Sequence, residues 1–206
     1  MLKLLGKKMG MTSVFEADGT VVPVTILEVE PNTITQVKTV ERDGYSAVQI
    51  AIKDGMKEKN LSKSVKGHLK KTDSAPMRTM VEFRADDVSA FEEGSTIAID
   101  SLNEASPVDV IGTTKGRGFT GGVKRHGFKG HRASHGEEKH HRTNGSISST
   151  ARLTHVWKGK RMSGHMGDVR QTVKNLQIVE INAEKNILVI KGSIPGHSGS
   201  TVMVVQ

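Results

Sequence analysis

The sequence predicts a mainly β protein, a barrel or sandwich, interrupted by one long irregular basic segment. Three observations carry this. Short runs of alternating apolar and polar residues recur in both the first and the last part of the chain. The middle, from Ile111 to Arg170, has neither that alternation nor a helical period. The same middle block holds 13 Lys or Arg against three acids, whereas the other 146 residues hold 17 against 19.

The elements follow in order. Met11–Glu16 alternates, Ala17-Asp18-Gly19 is a turn signal, and Thr20–Glu30 resumes with Val, Pro and Ile, which predicts a hairpin. Thr33–Val40 predicts the next strand, and Arg42-Asp43-Gly44 turns the chain back into Tyr45–Lys53. Asn60–Lys71 is the one helix candidate. Leu61, Val65 and Leu69 fall on one stripe at four-residue spacing, and Asn60 is placed to cap it. Its other face is Lys-rich, so it should lie on the surface, in an insertion spanning about 55–78. Thr79–Arg84, Thr96–Asp100 and Val108–Ile111 are short strands. After the block, Thr172–Asn182 reads as one alternating strand and Ala183–Asn186 turns it into Ile187–Lys191. The loop GSIPGHSGS leads to a last strand, Thr201–Val205. Residues 1–110 and 168–206 are thus expected to form one β domain, and 111–167 an extension.

Composition narrows the class. Hydrophobic residues make up 35% of the 206, and 22 glycines bring the chain to an ordinary apolar fraction. Aromatics are only 3%, so the core must be mostly Val, Ile, Leu and Met. With no cysteine there is neither a disulfide nor a thiolate metal site, which fits a reducing compartment. No apolar run approaches the ~18 residues of a membrane span. The opening MLKLLGKKMGMT lacks the apolar stretch and small-residue cleavage site of a signal peptide, so a cytoplasmic protein is expected. The net charge is +8, and the block alone carries +10, with seven of the nine His and 12 of the 22 Gly. Charge concentrated in this way predicts a polyanionic partner.

Residues 115–136 read KGRGFTGGVKRHGFKGHRASHG: six Lys or Arg, three His, seven Gly and no acid. Such a composition buries too little apolar surface to offset its ordering entropy. Phosphates would supply the missing scaffold: Arg and Lys neutralise them, and Gly lets the backbone approach. Phe119, Phe128 and Trp157 are isolated among basic residues and cannot form a core by themselves. They are expected to wedge against bases or a partner surface, the alternative for each being an anchor onto its own β domain.

Other chemistry fits poorly. GTTKGRG, 112–118, lacks the spacing of a phosphate-binding P-loop, and no apolar helix follows it. His131, His135, His140 and His141 invite a metal hypothesis, but no cysteine joins them and no packed element would fix them. They read instead as extra donors and stacking surfaces for RNA, with no metal. No nucleophile–base pair stands out. The aromatic strand signature of common RNA-binding modules is absent, which points to recognition of folded RNA by shape. A metal-dependent enzyme acting on RNA and a free RNA chaperone are the remaining alternatives.

Several runs, in order, resemble the ribosomal protein L3 family of the large subunit in its bacterial form. They are GKKMGMT (Gly6–Thr12), TTKGRGFTGGVKR (Thr113–Arg125), His135-Gly136, Gly145-Ser146-Ile147, KGKRMSGHMG (Lys158–Gly167) and KGSIPG (Lys191–Gly196). The resemblance covers nearly the whole chain and is weakest between about Asp54 and Ala75. It implies a six-stranded β-barrel of the translation-factor type with a long extension. It also implies binding to 23S rRNA early in assembly, the extension directed toward the peptidyl transferase centre, and ribosomal proteins L14 and L19 as neighbours. It implies no enzymatic activity, no cofactor, no membrane and no small-molecule substrate. On the matched positions, Lys115, Arg117, Lys124, Arg125, Lys158, Lys160 and Arg161 would contact rRNA, with Lys7 and Lys8 adding to them. Gly116, Gly118, Gly121 and Gly122 would be close-approach positions. Lys129, Arg132, Arg142 and Arg152 share the loop with a looser match. Family members often follow Gly-Ser-Ile with a glutamine-containing stretch that some of them methylate. Ser148-Ser149-Thr150-Ala151 stands there in this chain, so that modification is not implied. Arg142–His155 would be the inner tip, and Asn144-Gly145 is a turn signal consistent with a reversal.

Overall fold

In the computed structural model, which describes residues 2–53, 55, 57–147 and 155–206, the chain divides into two units. One comprises Met1–Thr113 with Arg170–Gln206, the other Thr114–Val169.

The first unit is built from strands. In chain order they are β1 (Lys3–Phe15), β2 (Val21–Glu28), β3 (Asn32–Lys38), β4 (Ala47–Ala51), β5 (Met80–Arg84), β6 (Thr96–Ile97) and β7 (Val108–Thr113). Among the described residues the second unit contributes β8 (Phe119–Thr120) and β9 (Gly164–His165). The first unit then resumes with β10 (Arg170–Leu176), β11 (Ile178–Asn182), β12 (Ile187–Lys191) and β13 (Thr201–Val205). Two short helices, α1 (Val40–Asp43) and α2 (Lys63–Leu69), precede β4 and β5.

β1 and β2 form the predicted hairpin. Its turn closes with Gly19 at φ +84 and with Asp18 accepting from the Thr20 N–H and hydroxyl at 2.9 and 2.8 Å. β1 starts eight residues earlier than the alternation predicted. Leu4 and Leu5 point to opposite faces and both are buried, so no polar residue marks this stretch as a strand. Each contributes about 2 kcal/mol of transfer free energy.

The strands pair antiparallel into a seven-stranded sheet, β10-β7-β13-β1-β2-β12-β11, and a four-stranded sheet, β5-β4-β3-β6. Neither is closed by a pairing between its outer strands among the described residues. The predicted strand Thr172–Asn182 is in fact two. Asn175 takes φ +56 and the β10–β7 ladder shifts register between Val173 and Leu176. The chain thereby leaves one edge of the large sheet and, after Gln177, begins the other edge as β11. Only one residue separates Leu176 from Ile178, so the two edges lie within about 7 Å at that corner.

The core is Val, Ile, Leu and Met, as the composition required, with Phe83 the one fully buried aromatic. Leu4, Leu27, Val110, Leu188, Ile190 and Val204 lie in one cluster. Leu5, Met203 and Val205 of the large sheet join Ile34, Val48, Ile50 and Phe83 of the small one in a second. The two sheets are also pinned by Asn32, which is fully buried. Its Oδ1 accepts from the Leu5 N–H at 2.7 Å, and its Nδ2 donates to the Leu5 and Glu30 carbonyls at 3.0 and 2.8 Å.

The helix candidate is shorter than predicted and differently capped. Ser62, not Asn60, accepts from the Val65 N–H, at 3.4 Å. Asn60 closes a 3-10 turn, Glu58–Asn60, and Leu61 after it is extended, so the helix begins only at Lys63. The apolar stripe works as read: Leu61 and Leu69 are buried with Ala51 and Met77, and Val65 packs beside them. The strand predicted over Thr96–Asp100 ends at Ile97, because Ile99–Ser101 turns as a 3-10 helix that buries Ile99.

Candidate nucleic-acid interface

The second unit, Thr114–Val169, is less irregular than its composition implied. Its two limbs run side by side. The Thr114 N–H donates to the Val169 carbonyl at 3.0 Å, Arg117 N–H to Met166 O at 2.8 Å, and Met166 N–H to Gly118 O at 3.0 Å. β8 and β9 continue the ribbon with Phe119 opposite His165 and Thr120 opposite Gly164. Gly167 makes the approach close enough: at φ +75, a Cβ there would collide with the Lys115 carbonyl.

A five-residue helix, α3 (Gly122–His126), follows and stops at Gly127, φ +69. It presents Lys124, Arg125 and His126 in one turn. Arg125 Nη1 donates to the Met162 carbonyl at 2.8 Å, and His126 Nε2 lies 2.9 Å from the same oxygen. A carbonyl only accepts, so His126 carries its proton on Nε2. Phe128 folds back over the helix start. Its ring sits 5.7 Å from that of His126, and a Cβ on Gly122 would stand 2.7 Å from the Phe128 ring and overlap Asn144 Oδ1. Farther along, His131 N–H donates to His141 O at 3.1 Å, and His141 Nδ1 donates to Arg132 O at 2.8 Å. His131 Nδ1 lies 3.1 Å from Glu137 Oε1.

These contacts decide which of the predicted residues face outward. Lys115, Arg117, Lys124, Lys129, Arg132, Arg142, Lys158, Lys160 and Arg161 are exposed. Arg125 is half-buried by its bond to Met162. Among the described residues, no Lys or Arg of this unit has a carboxylate within 4.0 Å, and its one ion pair joins His131 to Glu137. Phe119 is 79% exposed and Trp157 62%, whereas Phe128 is half-buried within the unit. Gly116 and Gly121 have room for a methyl group and Gly118 sits in open space at φ +63, while Gly122 is packed against protein. Arg152 and the divergent Ser148–Ala151 lie outside the described residues.

In the other unit, Lys7 is exposed, opposite Glu28 across the hairpin. Lys8 is buried, and its ammonium donates to the Ile194 and Gly196 carbonyls at 2.9 and 3.2 Å. Sequence reasoning missed Met162, whose carbonyl ties down two side chains of α3, and Asn144, which packs against Gly122 at its start. The available signal was the glycine spacing: Gly122, Gly164 and Gly167 each stand where another chain segment comes close.

Chemically, the unit offers fixed positive charge, two bare aromatic rings and backbone thinned by glycine, a set suited to phosphates and unstacked bases. Among the described residues no group of three or more His, Asp or Glu could hold a metal ion. Among the same residues no helix is long and apolar enough to cross a membrane.

Comparison with known proteins agrees with the resemblance. The family model described as Ribosomal protein L3 matches residues 79–187. The large ribosomal subunit protein uL3 of Hydrogenovibrio crunogenus is 48% identical over 205 residues, covering 98% of this chain and 96% of the relative. The protein of that name from Corynebacterium jeikeium is 46% identical over 201 residues, 98% of this chain and 92% of the relative. The one from Vibrio parahaemolyticus is 44% identical over 205 residues, 99% and 97%.

Proposed function

Because this chain belongs to the ribosomal protein L3 family, we propose that it is a structural component of the large ribosomal subunit and binds 23S rRNA through Thr114–Val169. Its role is structural rather than catalytic. The observation that carries the reading is the uncompensated charge of that unit. Its exposed Lys and Arg side chains have no carboxylate partner among the described residues, so their counter-charge must come from outside. Phosphates answer that need, and the exposed Phe119 and Trp157 add stacking surface for bases.

Finer features follow the family. Binding early in assembly suits a unit whose few acids leave most of its positive charge uncompensated. The reach toward the peptidyl transferase centre falls to residues 142–155, the expected tip, and L14 and L19 are the expected protein neighbours, in the cytoplasmic ribosome. The β unit reads as the family's barrel. Two features support this: the edges of the seven-stranded sheet meet at Leu176-Gln177-Ile178, and the small sheet shares a core with β1 and β13.

The test is sedimentation of a lysate through a sucrose gradient, followed by a high-salt wash of the particles. One copy per large subunit, retained through the wash, is the expected result. Protein at the top of the gradient, or released by modest salt, would leave a free RNA binder instead.

A further inference from the structure

The β1–β2 hairpin has properties opposite to those of the basic unit. From Met9 to Val37 the chain contains no Lys, Arg or His, but it contains Glu16, Asp18, Glu28 and Glu30. Beyond Lys8, β1 has β2 as its only strand neighbour among the described residues: the ladder with β13 ends at Lys7–Thr201 and the last bonds run from Lys8 to Gly199 and Ser200. The free end of the hairpin is apolar. Phe15 pairs with Val21 and Ser13 with Pro23. Met11 lies four residues before Phe15, and so on the same face of the strand. On that face Phe15 is 72% exposed, Val21 53% and Met11 51%. Most of the large exposed apolar side chains of the β unit thus crowd onto one hairpin, and scattered surface residues do not produce such a cluster. The turn is anionic as well. Hydrogen bonds from the Thr20 N–H and hydroxyl hold the Asp18 carboxyl below its ordinary value.

We propose that this hairpin docks on a neighbouring protein of the large subunit, one that presents an apolar patch rimmed by Lys or Arg. The inference rests on the reading of this chain as a subunit component. Charge decides the class of partner. An edge bearing Glu16 and Asp18, in a hairpin that has no Lys, Arg or His of its own beyond Lys8, repels a phosphate backbone, whereas it complements a basic protein surface. The apolar face of Met11, Phe15, Val21 and Pro23 supplies the area to be buried, and the unpaired outer edge of β1 offers main-chain donors and acceptors to the same partner.

The experiment places a photoreactive benzoylphenylalanine at position 15 of the full-length chain, with the probe at Val21 as a second variant. Salt-washed large subunits are irradiated and the linked peptide is sequenced. The expected product is a single protein whose linked segment carries an excess of Lys and Arg. Phe15→Asp should then cause loss of that protein from washed subunits while this chain stays in them. Linkage to rRNA, no linkage from either position, or an unchanged particle composition in Phe15→Asp overturns the inference alone. Absence of the chain from the particles overturns the functional reading, and this inference with it.

Discussion

Lys8 lies inside the β unit, with its ammonium 2.9 Å from the carbonyl oxygen of Ile194. A second bond, to Gly196 O at 3.2 Å, lets one side chain tie β1 to the loop that leads into β13. A buried ammonium is costly unless its donors are used, and here they cap carbonyls that no strand partner reaches. Lys8→Met keeps the stem and removes the charged donor. It should lower stability by roughly 2 kcal/mol, the usual worth of hydrogen bonds to a charged group. Thermal unfolding of the two chains checks this. An unchanged melting temperature, together with weaker RNA binding, would return Lys8 to the role of a phosphate contact.

Much of the β unit was legible because its signals are local. Asp18-Gly19 marks a turn by its own geometry, and β4 alternates visibly through Val48, Gln49 and Ile50. What was not legible depends on distant partners. The first half of β1 is buried on both faces, Leu4 in one core cluster and Leu5 in the other, which erases alternation. Thr172–Asn182 reads as one strand interrupted only by the polar pair Lys174-Asn175, yet its two halves pair with β7 and β12 at opposite edges of the sheet. Asn60 was a plausible cap by type and lost the position to Ser62 because a 3-10 turn had already used it. In the basic unit the composition was readable but the internal ties were not. Arg125 grips a carbonyl 37 residues away, and nothing near either residue announces it.

The outer face of the small sheet carries an ion pair whose pH response can be predicted. Lys38 Nζ lies 2.7 Å from Glu82 Oε1, and Tyr45 OH bonds both residues. The hydrogen bond from Lys38 holds the Glu82 carboxyl below its ordinary value, with Tyr45 and Gln49 helping against partial burial. A depressed carboxylate stabilises the fold above its unfolded pKa of about 4.3 and loses that contribution as pH falls through the lower, folded value. Lys38 is shifted upward by the same bond, so it stays charged throughout the neutral and acid range and the acid limit of the pair is set by Glu82. Glu82→Gln should therefore be less stable than the parent at pH 7, with the difference shrinking toward zero as pH falls through the lowered Glu82 value. Melting temperatures across pH 2.5–8 (about ten points) read this out. A constant difference would mean that the amide disturbs packing rather than charge.

Glycines of the basic unit divide into those that protein needs and those it does not. A Cβ on Gly122 would meet the Phe128 ring at 2.7 Å and Asn144 as well, and one on Gly167 would meet a backbone carbonyl that cannot swing away. Gly121, at φ −74, faces open space. Gly122→Ala and Gly167→Ala should loosen Thr114–Val169, seen as faster amide exchange and proteolysis there, while the melting of the β unit stays unchanged. Gly121→Ala should alter neither. If Gly121→Ala nevertheless impairs subunit assembly, the space it fills belongs to rRNA, as the family resemblance implies for that position.

Phosphate contacts leave a salt signature that stacking does not. If about six of the exposed basic residues of the extension contact phosphates, the log–log dependence of RNA affinity on salt should have a slope near −4 to −5. Lys160→Ala should make that slope shallower by about 0.7–0.9 and weaken binding to different RNA segments alike. Phe119→Ala and Trp157→Ala act on different physics. Their rings are exposed, so truncation should leave the melting temperature of the β unit in place. Each should weaken binding by about 1–3 kcal/mol if it stacks on a base, with the salt slope preserved. Phe128→Ala should instead loosen the basic unit itself, because that ring packs on Gly122 and His126. Titrations of the full-length chain against rRNA fragments, at several salt concentrations, separate the three cases. A slope near zero in the parent would remove phosphate neutralisation as the basis of binding, and a lower melting temperature in Phe119→Ala or Trp157→Ala would make those rings anchors rather than contacts.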